Sequence, residues 1–140
     1  MWPAHCVRGT PGAEFCDGLV RVGTDVVIQK GTLRAVDSYS GFGDAALGKF
    51  EQTALEAELR ARGVMHLVVA GLALDFCVAF TALDARRLGF EVYLVKDGCR
   101  AVNAAGAERM LAVCAERGVV VVDTFADLPK DIFGGQAAAQ

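Results

Sequence analysis

The stretch VVAGLALDFCV, residues 68–78, puts a sulfur where a sulfur can act as a nucleophile. An apolar run ends at Gly71, a short turn follows, and Cys77 falls where a helix is expected to begin. The first turn of a helix presents unpaired N–H groups and the positive end of the macrodipole. That environment favours thiolate over thiol. The same N–H groups can stabilise an oxyanion forming on a substrate carbonyl. Gly71 and Ala73 carry little bulk, which leaves room for a ligand against the backbone. Free cysteine is also among the most buried residue types, so position alone leaves a packing role open.

Lys30 closes the apolar run DVVIQK (25–30) and precedes Gly31. A partly desolvated ammonium there can steer a carboxylate or thiol, and a solvated strand-end cation is the plainer alternative. His5 lies in a loop with Trp2, Pro3 and Cys6, and its imidazole can bind a metal. A lone histidine more often makes a local hydrogen bond, and no C-x-x-C pair accompanies it. His66, Cys99 and Cys114 read as structural, Cys99 on a loop and Cys114 on an apolar helical face.

The elements that must position these groups alternate. Runs 66–71, 91–95 and 119–123 are continuous and β-branched, as expected of parallel strands covered on both faces, and 25–30 reads as a fourth. Helical patterns at 53–62, 76–88 and 104–117 stop at Gly63, Gly89 and Gly118, and Asn103 is a good N-cap for the last. The middle helix carries Val78, Ala82 and Ala85 on one stripe. This order predicts an α/β fold with a parallel sheet, whose ligands sit at the carboxyl ends of the strands. Lys30, Cys77 and Asp97 fall at or just past such ends. Residues 2–15 are too rich in Pro, Gly and Thr for either element and read as a long, functional loop.

The 140 residues fit a single domain over 1–133, followed by a frayed tail at 134–140. A hydrophobic share of 54% predicts a packed chain. A net charge of −3 gives no reason to expect nucleic acid or an anionic membrane as partner. No apolar run approaches the ~18 residues of a membrane span. Five irregularly spaced cysteines without a visible export signal read as reduced thiols in a cytoplasmic protein.

Four segments in order, WPAHCVRGTPGAEF, KGTLRAVDSYSGF, VVAGLALDFCV with TALDARRLGFEV, and VKDGCRAV, resemble the nicotinamidase/pyrazinamidase family of cysteine hydrolases, within the isochorismatase-like superfamily. The resemblance runs from Trp2 to about Asp123. It implies a three-layer, parallel-sheet, Rossmann-like fold and hydrolysis of nicotinamide to nicotinate and ammonia, a step of NAD salvage. By the same resemblance Cys77 is the nucleophile that forms a thioester and Lys30 the catalytic lysine. The peptide Leu72–Ala73 matches a non-proline cis bond, and the amides of Ala73 and Cys77 match the oxyanion hole. Trp2 and Tyr39 match residues flanking the substrate ring. His5 matches one ligand of a divalent metal, usually zinc or iron, that grips the pyridine nitrogen.

The resemblance also implies two features that these residues do not contain. Family members carry a first strand with a D-x-Q-x-D-F pattern, whose aspartate takes the thiol proton, and a second strand with a D-x-H pair of metal ligands. Asp25, Asp37 and Asp75 do not stand where that aspartate belongs. The expectation is an N-terminally truncated fold lacking its first two strands, with impaired activity, an incomplete metal site and bared strand edges that favour self-association. Two alternatives remain: a non-catalytic remnant binding a small aromatic ligand or a partner chain, and another isochorismatase-like cysteine hydrolase. The W-P-x-H-C segment argues against the latter.

Overall fold

The computed structural model describes residues 3–34, 36–46 and 49–133. The expected frayed tail at 134–140 and Trp2 lie outside the described residues. Among those described, a three-stranded parallel sheet is ordered β3-β4-β5, from β3 (His66–Leu72), β4 (Glu91–Arg100) and β5 (Val120–Val122). An antiparallel hairpin, β1 (Gly43–Ala46) with β2 (Lys49–Gln52), precedes them. The helices are α1 (Leu55–Ala61), α2 (Ala79–Arg87) and α3 (Ala104–Glu116), and the wide turn Leu74–Val78 leads directly into α2. The alternation read from the sequence is therefore present, with a parallel sheet.

Burial explains why β4 is central. Val92, Leu94 and Val95 are at most 3% exposed, whereas β3 alternates between exposed and half-buried positions. The stripe on α2 is the one expected: Ala79, Ala82 and Ala85 are fully buried, with Val78 just ahead of them. Methyl side chains let that helix lie close against the sheet and pack on Phe90, Val92 and Leu94. Cys114 of α3 is fully buried in the same core, as a packing residue. Asn103 caps α3, its side-chain oxygen accepting from the Gly106 amide. Gly63, Gly89 and Gly118 all have left-handed φ where the three helices end.

The readings at 25–30 and at the end of β4 are corrected, and the hairpin is an additional element. The run 25–30 is not a strand: it joins no sheet ladder among the described residues, and Val26 and Val27 are each 46% exposed. Its β-branched residues favour extension, but a strand also needs a ladder partner. The hairpin at 43–52 carries no alternating apolar pattern to announce it. Strand β4 runs on to Arg100, so Asp97 and Cys99 lie within it rather than beyond its end. Between the pairs Val69–Leu94 and Gly71–Cys99 the register slips, because β4 inserts more residues than β3. Gly71 absorbs this with φ +123°, a conformation that side chains disfavour.

Candidate functional site

The apolar strand β3 drives the backbone to the carboxyl edge of the sheet, and at Leu72–Ala73 the peptide bond is cis, where the resemblance expected it. The chain then turns widely: the Val78 amide donates to the Ala73 carbonyl at 3.1 Å, five residues back. Such π-type turns recur at functional sites. Cys77 stands in this turn, half-buried, while Cys99 and Cys114 are buried in the interior. Burial pushes the Cys114 thiol up to about 11. It also raises that of Cys99, against a backbone hydrogen bond from Gly71 and the charge of Arg100. Those two thiols are thereby held protonated, as packing residues are.

The Lys30 ammonium donates to Cys77 Sγ at 3.4 Å and to the Ser38 carbonyl at 2.7 Å. Forty-seven residues separate this lysine and cysteine in the chain, and only the fold brings them together. Ser38 is fully buried, with φ +54°, uncommon for a residue other than glycine. The loop carrying Ser38 is tied to the cysteine turn a second time. Thr81 Oγ1 donates to the Cys77 carbonyl at 2.6 Å and accepts from the Gly41 amide at 2.8 Å. Thr53 Oγ1 donates in turn to the Gly41 carbonyl at 2.6 Å. One loop thus fixes both the ammonium and the sulfur.

Asp75 fixes the turn from its other side. Its carboxylate, on a residue only 5% exposed, accepts from the Val102 amide at 2.9 Å and from the Asn103 amide at 3.1 Å. The Asn103 side-chain amide adds a longer contact at 3.4 Å. Tyr39 lies against aromatic rings of the same region, its centroid 5.6 Å from Phe76 and 5.7 Å from Phe80. A cavity of about 400 Å³ opens on the Lys30 side, lined among others by Cys6, Arg8, Glu14 and Gly31.

Of the residues singled out from sequence, the structure joins Lys30 to Cys77, sets Ala73 four residues ahead of the sulfur, and places Tyr39 beside the Cys77-bearing turn. His5 is exposed, with Nδ1 2.7 Å from the Pro3 carbonyl oxygen. No cluster of three His, Cys, Asp or Glu side chains suited to a metal exists among the described residues. His66 pairs with Glu91 at 3.0 Å on the surface, consistent with a structural role. Asp75, Thr81 and Ser38 were missed as positioning groups. For Asp75 the signal was present in the D-x-C spacing. For Thr81 it lay in a hydroxyl one helical turn after the cysteine. For Ser38 no local signal exists.

The model of the isochorismatase domain matches residues 1–125. The nicotinamidase of Acinetobacter baylyi is 38% identical over 122 residues, which are 84% of this chain and 56% of that protein. Among solved structures, the pyrazinamidase of Pyrococcus horikoshii in complex with zinc superposes with a TM-score of 0.77 at 39% identity, covering 88% of this chain and 63% of that one. PnC1 of L. infantum in complex with nicotinate gives 0.82 at 39% identity, covering 88% and 61%. The chain spans about half the length of the curated relatives it matches.

Proposed function

This chain belongs to the isochorismatase domain family, and from that premise we propose that it carries the thiol and ammonium of a nicotinamidase, which converts nicotinamide to nicotinate and ammonia in NAD salvage. The contact that carries this reading is Lys30 Nζ at 3.4 Å from Cys77 Sγ, in the wide turn at the end of a parallel strand. A relative of 39% identity is in complex with nicotinate, the product expected here. In this reading residues 1–133 act as one domain.

The Cys77 sulfur attacks the amide carbonyl carbon, and the C=O electron pair moves onto oxygen. The amides of Ala73 and Cys77 are assigned to that oxygen, where fixed donors act most strongly. Collapse breaks the C–N bond, and the proton lost by the thiol leaves on ammonia, so a thioester remains. Water then attacks the thioester carbonyl, which releases the acid and restores the thiol. The Lys30 ammonium, 3.4 Å from the sulfur, orients it for attack. Trp2 and Tyr39 are assigned to the flat ring of nicotinamide or pyrazinamide, and Phe76 and Phe80 stand beside Tyr39.

Two parts of the family machinery find no counterpart among the described residues. Asp75 has its carboxylate turned to α3, and Asp25 accepts from the Val22 amide, so neither serves as proton carrier for Cys77. A divalent ion such as zinc or iron has one candidate ligand, His5, and one imidazole does not make a site. The residues described therefore do not fit a metal, and no step is routed through one. Turnover by these 140 residues alone is expected to be weak, because loss of one triad member costs on the order of 10⁴-fold in well-studied hydrolases.

Ammonia release from nicotinamide and pyrazinamide, with and without added zinc, tests the reading. Cys77→Ala abolishes release, and Cys114→Ala retains it. Equal loss in both variants, or release surviving Cys77→Ala, sinks the assignment.

A further inference from the structure

We propose that Asp75 is a positioning residue, which bolts the Cys77 turn to the start of α3 and so keeps the sulfur within reach of the Lys30 ammonium. The proposal rests on the reading of Cys77 as a reactive thiol, but it concerns a different group and a different contact. Asp75 is 5% exposed, and a buried carboxylate without partners is strongly unfavourable. Here it is satisfied by the Val102 and Asn103 amides and, more distantly, by Asn103 Nδ2, at the N-terminal end of α3, where the macrodipole favours a negative charge. Its covalent neighbours are the turn itself, so the carboxylate transmits the position of α3 to Cys77 two residues on.

The fit is close on the α3 side. A Cβ built on Gly106 would stand 2.8 Å from Asp75 Oδ2 and 3.1 Å from the Asn103 side-chain atoms. Glycine at 106 is thus the residue that leaves room for the carboxylate in the first turn of a helix. The same side chain of Asn103 that touches Asp75 also caps Gly106, so cap and bolt form one unit. On the opposite side the turn is held by Thr81 and Gly41. With the Asp75 bonds removed, the turn keeps the Thr81 and Gly41 contacts and the buried side chains of Leu74 and Val78, but loses this polar tie to α3.

The test is the rate at which iodoacetamide, an uncharged reagent, alkylates Cys77 near neutral pH, read peptide by peptide by mass spectrometry. Exposed Cys6 and Cys16 serve as internal references, and buried Cys99 and Cys114 report that the chain is folded. Asp75→Asn leaves an amide facing the Val102 and Asn103 donors, and it is expected to slow Cys77 at least three-fold relative to Cys6 and Cys16. Removing a negative charge near a thiol, by itself, would speed it instead, so the sign separates position from charge. Gly106→Ala keeps the charge and only displaces the carboxylate, and it too is expected to slow Cys77. If Asp75→Asn exposes Cys99 and Cys114, Gly106→Ala decides alone. Parent-like alkylation of Cys77 in a folded variant, or faster alkylation in Asp75→Asn, overturns the proposal. The readout does not depend on amide hydrolysis. Slowed alkylation in a chain that hydrolyses no amide leaves the bolt standing and removes the nicotinamidase reading, and the converse result does the opposite.

Discussion

Replacing Lys30 by methionine removes the ammonium that faces Cys77 while keeping a long apolar stem. The two atoms are 3.4 Å apart. Unit charges at that distance attract by about 1.2 kcal/mol at the permittivity of water, and by several times more in a poorly solvated setting. Lys30 is exposed and Cys77 half-buried, so the weaker figure is the appropriate one. An interaction of that size corresponds to about eight-fold in a rate that depends on it. The assay is again alkylation of Cys77 by iodoacetamide, with exposed Cys16, which does not line the Lys30 cavity, as the reference in the same tube. Lys30→Met is expected to slow Cys77 by five- to ten-fold and to leave Cys16 unchanged. In 1 M salt, where charges are screened within about 3 Å, the difference between parent and variant should shrink. A parent-like rate in Lys30→Met at low salt refutes the reasoning, since the contact would then carry no electrostatic weight.

Gly71→Ala is expected to cost about 1–3 kcal/mol in urea denaturation, from backbone strain alone, because φ is +123° and a Cβ there meets no atom within 4 Å. Thr81→Val keeps the shape but removes the hydroxyl between the Cys77 carbonyl and the Gly41 amide, and should cost about 1–3 kcal/mol by the same measurement. Stability should also fall as pH rises from 9 to 11. Burial raises the Cys114 thiol from 9.0 to about 11, so in that window the unfolded chain has lost a proton that the folded chain retains, and unfolding is favoured. The loss is roughly 2 kcal/mol at about 1.4 kcal/mol per pH unit, and Cys114→Ala should flatten that part of the profile.

The strands and helices from residue 53 onward were legible because each obeys a local rule. The runs ending at Gly71, Val95 and Asp123 are short, apolar and β-branched, and the helices end at glycines with left-handed φ. The run at 25–30 misled because β propensity is local while a strand is not: without a ladder partner, the same residues remain irregular. The hairpin at 43–52 was illegible for the opposite reason, since its pairing is printed in no alternation of side chains. Asp75 could be read as the wrong group for a base, yet not as a bolt, because its partners begin 27 residues away at Val102.

By itself the amino-acid order determined the alternation of elements, the family, and the thiol that stands at the opening of a helix, because these depend on neighbours within a few residues and on motifs kept in sequence. The tertiary structure alone decided that the Lys30 ammonium meets that thiol, that a strained serine carbonyl and a threonine hydroxyl hold the pair, and that a buried carboxylate faces α3. Those contacts join segments tens of residues apart, and no local pattern encodes a distance that exists only once the core has packed.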